Sequence, residues 1–266
     1  MRPLAIVLLS LAAASGSSAQ ITPALVKTGL YVFYGGGGNS LLRLTGNGLI
    51  VIDGKLPGEY KALMKAVNRI EDQPVRVLIN TNALPEHSAN NAQFRQAGAQ
   101  ILAQENAKNS TAFPATKTYD RQFTLQGGGI ELQLLHFGDA RTNGDTVVYF
   151  PDLKVVAVGD LLSDAAPDPD YQAGGSVVGW GPVLDRILKL DFDTVVPGAG
   201  HVATRADLEK FRAKIGTLVS RASALIKEGV SKDQLMSRLD TSDLGWHFDF
   251  TGDRLDRFYA DVSQAK

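Results

Sequence analysis

The chain has 266 residues, 44% of them hydrophobic, 21% charged and 8% aromatic, a balance that suits a globular chain with a sizeable core and excludes a disordered or collagen-like one. Its 27 Lys and Arg against 28 Asp and Glu leave a formal charge of −1, so nothing in the charge points to nucleic acid or an anionic membrane as a partner. Cysteine is absent, which removes disulfides, thiolate ligands and a cysteine nucleophile and leaves His87, His136, His201 and His247 as the soft ligands.

Met1-Arg2 is a short positive start, Leu4 to Ala14 is almost continuously apolar, and Ser17-Ser18-Ala19 puts small residues where a signal peptidase reads. This is the pattern of a secretory signal over 1–19, and the apolar run falls short of the roughly 20 residues that span a bilayer. The expectation is a secreted protein, periplasmic in a Gram-negative source, with no membrane partner after cleavage and a single domain over 20–266.

Short apolar runs then alternate with Gly-rich turns: Leu30 to Phe33, Leu41-Leu42 and Leu49 to Asp53 read as strands of a meander. The glycines Gly35 to Gly38 are not followed by G-K-[ST], so they read as a hairpin and not a phosphate loop. Tyr60, Leu63, Met64, Val67 and Ile70 recur at helical spacing. Val75 to Asn80 predicts a strand, Ser88 to Gln96 a helix, Ile101 to Ala103 a strand and Gln104 to Ala112 a helix stopped by Pro114.

In the second half, strands are predicted at Phe123–Leu125, Ile130–His136, Thr146–Phe150, Val155–Val158 and Thr194–Val196. Asp164 to Gly175, rich in Ala, Asp, Pro and Gly, is the most loop-like stretch. Trp180 to Leu190 reads as a helix. Thr204-Arg205-Ala206-Asp207 has the form of a capping box, followed by Leu208, Phe211, Ile215, Leu218, Ala222 and Leu225 at steps of three and four, with Gly229 as stop. Ser231–Leu239 and Asp253–Val262 read as further short helices. The β-then-α order repeats in both halves without an internal linker, which predicts one α/β domain.

Functional groups in such folds collect in turns after strand C-termini. Five turns stand out: Asp53, Thr81 to His87, Gly138 to Asp145, Gly159-Asp160, and Pro197 to His201. With Val51-Ile52-Asp53-Gly54, Asn90 to Phe94, Thr142-Asn143-Gly144-Asp145-Thr146, Val158-Gly159-Asp160-Leu161 and Val196-Pro197-Gly198, their order and spacing resemble the metallo-β-lactamase superfamily. That resemblance implies an αββα sandwich with the site at the edge of the two sheets.

It also implies a set of metal ligands. The family's central loop, T-H-x-H-x-D-H, falls on Thr81, Asn82, Ala83, Leu84, Pro85, Glu86 and His87; its next histidine falls on Arg141, its bridging carboxylate on Asp160, and its last histidine on Ala199. An alkyl group and a permanently protonated guanidinium bind no metal, so one metal of the usual pair has lost its ligands, and Arg141 is expected to pair with Glu86 or Asp160 in its place. Glu86, His87 and Asp160, with His201 as a fourth ligand if its loop bends inward, match the other position in type and leave room for a single divalent ion, zinc foremost.

Two readings stay open: a decayed site whose cleft binds a small molecule or partner, or a mononuclear hydrolase with Glu86 and His87 catalytic. Asn82, Arg141 and Asp145 are the candidate cleft residues, with turn hydrogen bonds as the default role of Asp145. A metal-free His87 is expected to bond turn backbone. Asp53 reads as structural, His136 as a strand histidine bonded to a neighbour, and His247 as packing or rim. No G-x-S-x-G elbow is present, and Ser88 has no evident oxyanion arrangement.

Overall fold

The computed structural model describes residues 20–107, 115–248 and 250–265. The signal expected over 1–19 lies outside them, as does much of the helix expected over Gln104–Ala112. Among the described residues no helix is long and apolar enough to cross a membrane.

The first half forms a seven-stranded sheet in chain order: β1 (Thr22–Lys27), β2 (Leu30–Tyr34), β3 (Ser40–Thr45), β4 (Gly48–Ile52), β5 (Val75–Ile79), β6 (Gln100–Gln104) and β7 (Lys117–Tyr119). Strands β1 to β4 are an antiparallel meander, whereas β4 to β7 run parallel. Parallel neighbours need crossovers, supplied by α1 (Tyr60–Val67) between β4 and β5, and by α2 (Pro85–Ser88) and α3 (Asn91–Gln96) between β5 and β6. Every residue of β4 is buried, as its unbroken apolar run requires of a strand covered on both faces.

The second sheet has the order β13-β12-β11-β10-β9-β8, built from β8 (Gln122–Gly127), β9 (Ile130–Leu135), β10 (Val147–Phe150), β11 (Val155–Gly159), β12 (Thr194–Pro197) and β13 (Ala203–Thr204). Its one parallel pair, β11 with β12, encloses the helix α4 (Val177–Ile187). The long α5 (Arg205–Lys227), α6 (Lys232–Arg238) and α7 (Gly252–Ser263) complete the layer. The capping box is formed: Thr204 Oγ1 accepts from Asp207 N, and Asp207 Oδ2 accepts from Thr204 N.

Three apolar layers follow. Val32, Ile52, Ile79 and Leu102 meet Leu134, Val148, Phe150 and Ala157 between the sheets; Leu63, Val67 and Phe94 cover the outer face of the first sheet; Trp180, Leu184, Phe211 and Phe258 cover that of the second. At about 1.5–3 kcal/mol per buried large side chain, these layers hold the αββα sandwich that the resemblance implies.

The helix predicted over Ser88–Gln96 is instead two. The break falls at Asn90, whose side-chain amide donates to Gly54 O, Lys55 O and Leu56 O at 2.7–3.1 Å; three carbonyls of the loop after β4 are satisfied there at the cost of one continuous helix. The sheets touch at their edge through Gly159, where a Cβ would stand 2.7 Å from Thr81 Oγ1. Only glycine permits that approach, which brings the turns after β4, β5, β11 and β12 together.

Candidate functional site

The site is built on Asp53, the first residue beyond β4. Its backbone is left-handed, with φ +62°, and so is that of Lys55, with φ +71°, a conformation that strains residues with side chains. Strain of this kind persists only where the surroundings over-determine it, and the Asp53 carboxylate is so held. It accepts from Thr81 N at 2.8 Å and Thr81 Oγ1 at 2.7 Å and lies 2.9 Å from His87 Nδ1. Because β4 and β5 are parallel, Asp53 and Thr81 leave the sheet at the same edge.

His87, in α2, is fully buried. Its other ring nitrogen, Nε2, is 2.9 Å from Asp160 Oδ2, beyond the end of β11. Thr81 Oγ1 also lies 3.3 Å from Nδ1, and where no cation stands between Nε2 and Asp160 a ring with a carboxylate on each side satisfies both as a double donor, the imidazolium. Burial alone would strip its proton, but the charges of Asp53 and Asp160 outweigh it and hold the His87 pKa well above the ordinary histidine value. Asp160 responds in kind: burial pushes its carboxyl up, while the His87 charge and hydrogen bond, the Asn82 amide and Arg141 bring it down to about 2.

Beside this triad, of which Asp160 is partly exposed, lies a cavity of about 170 Å³ lined by Glu86, Arg141, Asp160, Ser163, Trp180 and Phe211, among others, with Ala165 to Asp168 of the long loop on its wall. A second cavity of about 330 Å³ shares Ser163 and Phe211 with it and adds His201, Lys210, Lys214 and Trp246. One donor atom each from Glu86, His87 and Asp160 lies within 4.8 Å of the others.

The family model of the metallo-beta-lactamase superfamily matches residues 34–201. The chain belongs to the metallo-beta-lactamase superfamily. Its sequence is 27% identical over 164 residues to the 2,4-dinitroanisole O-demethylase subunit alpha of Nocardioides sp. (strain JS1661), a match covering 58% of this chain and 49% of that subunit. It is 25% identical over 175 residues to the metallo-beta-lactamase type 2 of Bacillus cereus, covering 63% and 68%. The fold is similar to that of a metallo-beta-lactamase from Pontibacter korlensis, with TM-score 0.67, 20% identity and coverage of 74% and 99%. It is similar too to the metallo-beta-lactamase FIM-1 from Pseudomonas aeruginosa in its mono-zinc form, with TM-score 0.65, 16% identity and coverage of 74% and 95%.

The other residues expected at the metallo-beta-lactamase site divide. Asn82 is buried; its amide donates to Asp160 Oδ2 at 2.9 Å and its Oδ1 accepts from Leu84 N, so it orients the carboxylate and does not face the cleft. Asp145 is likewise not a cleft residue. It is buried in its own turn, accepting from Thr142 N and Thr142 Oγ1, and burial pushes its carboxyl up to about 7 against those bonds. His201 is exposed, its ring edge-on to Tyr34, and stands outside the Glu86–His87–Asp160 group. Ser88 donates to Ala83 O and Leu84 O, and His136 bonds Asp145 O as a strand-end histidine does. His247 is exposed.

One further expectation is corrected and one is met only in part. His87 bonds no turn backbone through its ring; it joins two carboxylates, and Asp53, read as structural, is one of them. Arg141 does pair with Asp160 as expected, but loosely: its Nε stands 4.0 Å from Asp160 Oδ2, while its guanidinium bonds Asp168 O and lies 3.7 Å from the Asp168 carboxylate. Because Asp168 is 53% exposed, Arg141→Ala is expected to cost about 1 kcal/mol or less in urea unfolding. A loss of several kcal/mol would return Arg141 to the centre of the site.

Lys55 was not anticipated, since nothing in a lone lysine beside a turn signals burial. Its side chain is wholly buried, and Nζ donates to Phe33 O and Gly38 O, both at 2.6 Å.

Proposed function

We propose that this protein is a metal-independent member of the superfamily whose cleft binds a small molecule or partner and has lost the family's two-metal chemistry. The observation that carries this reading is the placement of His87 between Asp53 and Asp160, each 2.9 Å from a ring nitrogen. On this reading His87 donates from both nitrogens and keeps no lone pair for a metal. Asp160 Oδ2 meanwhile accepts from His87 and from Asn82. At the first metal position the chain offers an amide turned to Asp160, the alkyl group of Leu84 and the cation of Arg141. These residues do not fit a pair of zinc ions, and the imidazolium supplies the positive charge that the carboxylates need.

A specific observation favours a second reading. The donor atoms of Glu86, His87 and Asp160 lie within 4.8 Å of one another and are of kinds that zinc accepts. On that reading the chain is a mononuclear metal-dependent hydrolase of ester, lactam or related bonds, the ion activating a water.

Elemental mass spectrometry on protein purified without chelator, then equilibrated with Zn²⁺ and desalted, separates the two. Well under one zinc per chain is expected. About one zinc per chain, lost in Glu86→Ala, would overturn the metal-independent reading and establish the second.

A further inference from the structure

A cationic cavity away from the cleft is left unexplained by either reading. It holds about 320 Å³ and is lined by Asp120, Arg121, His136, Phe137, Gly138 and Arg186, at the small end of the volumes that take ligands. Its basic groups come from three places in the chain: the turn between β7 and β8, the end of β9 and the last turn of α4.

All three are tethered to one short stretch. His136 N donates to Arg121 O at 2.8 Å, Arg186 Nη1 donates to Phe137 O at 3.0 Å, and His136 Nδ1 donates to Asp145 O at 2.8 Å. The last bond fixes the tautomer, because a carbonyl only accepts. Nε2 of the same ring makes no hydrogen bond among the described residues. Neither Arg121 nor Arg186 forms an ion pair with any described carboxylate, and the Arg186 guanidinium has further N–H donors beyond the one on Phe137 O. Two guanidinium groups without a carboxylate partner and an imidazole therefore line one cavity, against one carboxylate, Asp120.

We propose that this cavity is a binding site for a phosphoryl group, either inorganic phosphate or the terminal phosphate of a small ester. A guanidinium presents a planar fork of donors that matches phosphate oxygens, and two forks from different elements enclose a tetrahedral dianion where one would only touch it. A nucleic-acid backbone is a poorer match, since the basic groups ring a single cavity and the chain carries a formal charge of −1.

Calorimetric titration of the full chain with inorganic phosphate at fixed ionic strength tests the site. Saturable one-to-one binding is expected, weakened about tenfold by Arg121→Gln and by Arg186→Gln, the loss of one charge-assisted contact in each, and tightened by Asp120→Asn. Arg121 serves best, because its side chain makes no hydrogen bond among the described residues and its removal leaves the fold intact. Arg238→Gln, an equal change of charge on exposed α6, is expected to leave the affinity alone. Phenyl phosphate binding more tightly than phosphate identifies an ester as the ligand; equal affinities identify the free ion. An absence of saturable binding, or the same weakening in Arg238→Gln as in Arg121→Gln, would overturn the proposal.

Discussion

Replacing His87 by alanine is expected to lower stability by about 3–5 kcal/mol, the range for removing one partner of a buried charge pair, and the melting temperature by roughly 6–20 °C for a chain of this length. The cause is less the lost packing than what remains: the carboxylates of Asp53 and Asp160 would share a buried space with the cation gone. Adding Asp160→Asn to the alanine variant removes one of those charges, so it is expected to restore stability, although Asp160→Asn alone weakens the native protein. That reversal of sign is the coupling a double-mutant cycle measures. An alanine variant that melts within a degree or two of the native chain would show that the triad contributes nothing.

The pH dependence of the same comparison has a definite sign. The folded pKa of His87 is raised, so the ring binds its proton more tightly folded than unfolded. Its contribution is complete below the ordinary imidazole value of about 6.5 and is lost as pH rises through the higher folded value. The gap between native and alanine proteins should therefore narrow toward alkaline pH, and chelator should leave the native melting curve where it is. A chelator-induced fall of the same size as the alanine effect would mean that a metal, and not the imidazolium, joins the carboxylates.

Periodicity made most of the fold legible because burial wrote it into the side chains. The apolar run of β4 and the three-and-four spacing of α5 each describe a face that meets a core. The strands missed, β1, β7 and the two-residue β13, are edge strands with mixed exposure, where no face is uniformly apolar and alternation carries little signal. The site was legible in its positions but not in its pairings. Which turns held chemistry followed from motif order, yet the neighbours of a charged group are set by backbone paths, here the left-handed turn at Asp53 and the close passage of Gly159 past Thr81. No spacing in the sequence states that Asp53 and His87 touch across 34 residues. The same limit hid Lys55, whose burial depends on two carbonyls from a different hairpin.

Lys55→Met is expected to be the second large effect, about 2–4 kcal/mol near pH 9. Methionine keeps most of the alkyl volume but leaves Phe33 O and Gly38 O buried without donors, at about 1–3 kcal/mol each. Burial pulls the Lys55 pKa down to about 7 despite the nearby charges of Asp53 and Glu59, and a neutral amine has two N–H donors, as many as the carbonyls require. Between pH 7 and 10.5 the unfolded chain then carries a proton that the folded chain lacks, so native stability rises with pH relative to Lys55→Met, by up to about 1.4 kcal/mol per pH unit. Below pH 7 both states are protonated, the buried ammonium is at its most costly, and the difference is smallest. A difference independent of pH would mean that the two carbonyls and the nearby acids hold a charged ammonium. The consequence reaches the site in either case. A Cβ on Gly38 would stand 3.7 Å from His87 Cε1 and 2.7 Å from Gly198 O, so the glycine hairpin after β2 is the wall against His87, and Lys55 is what pins it there.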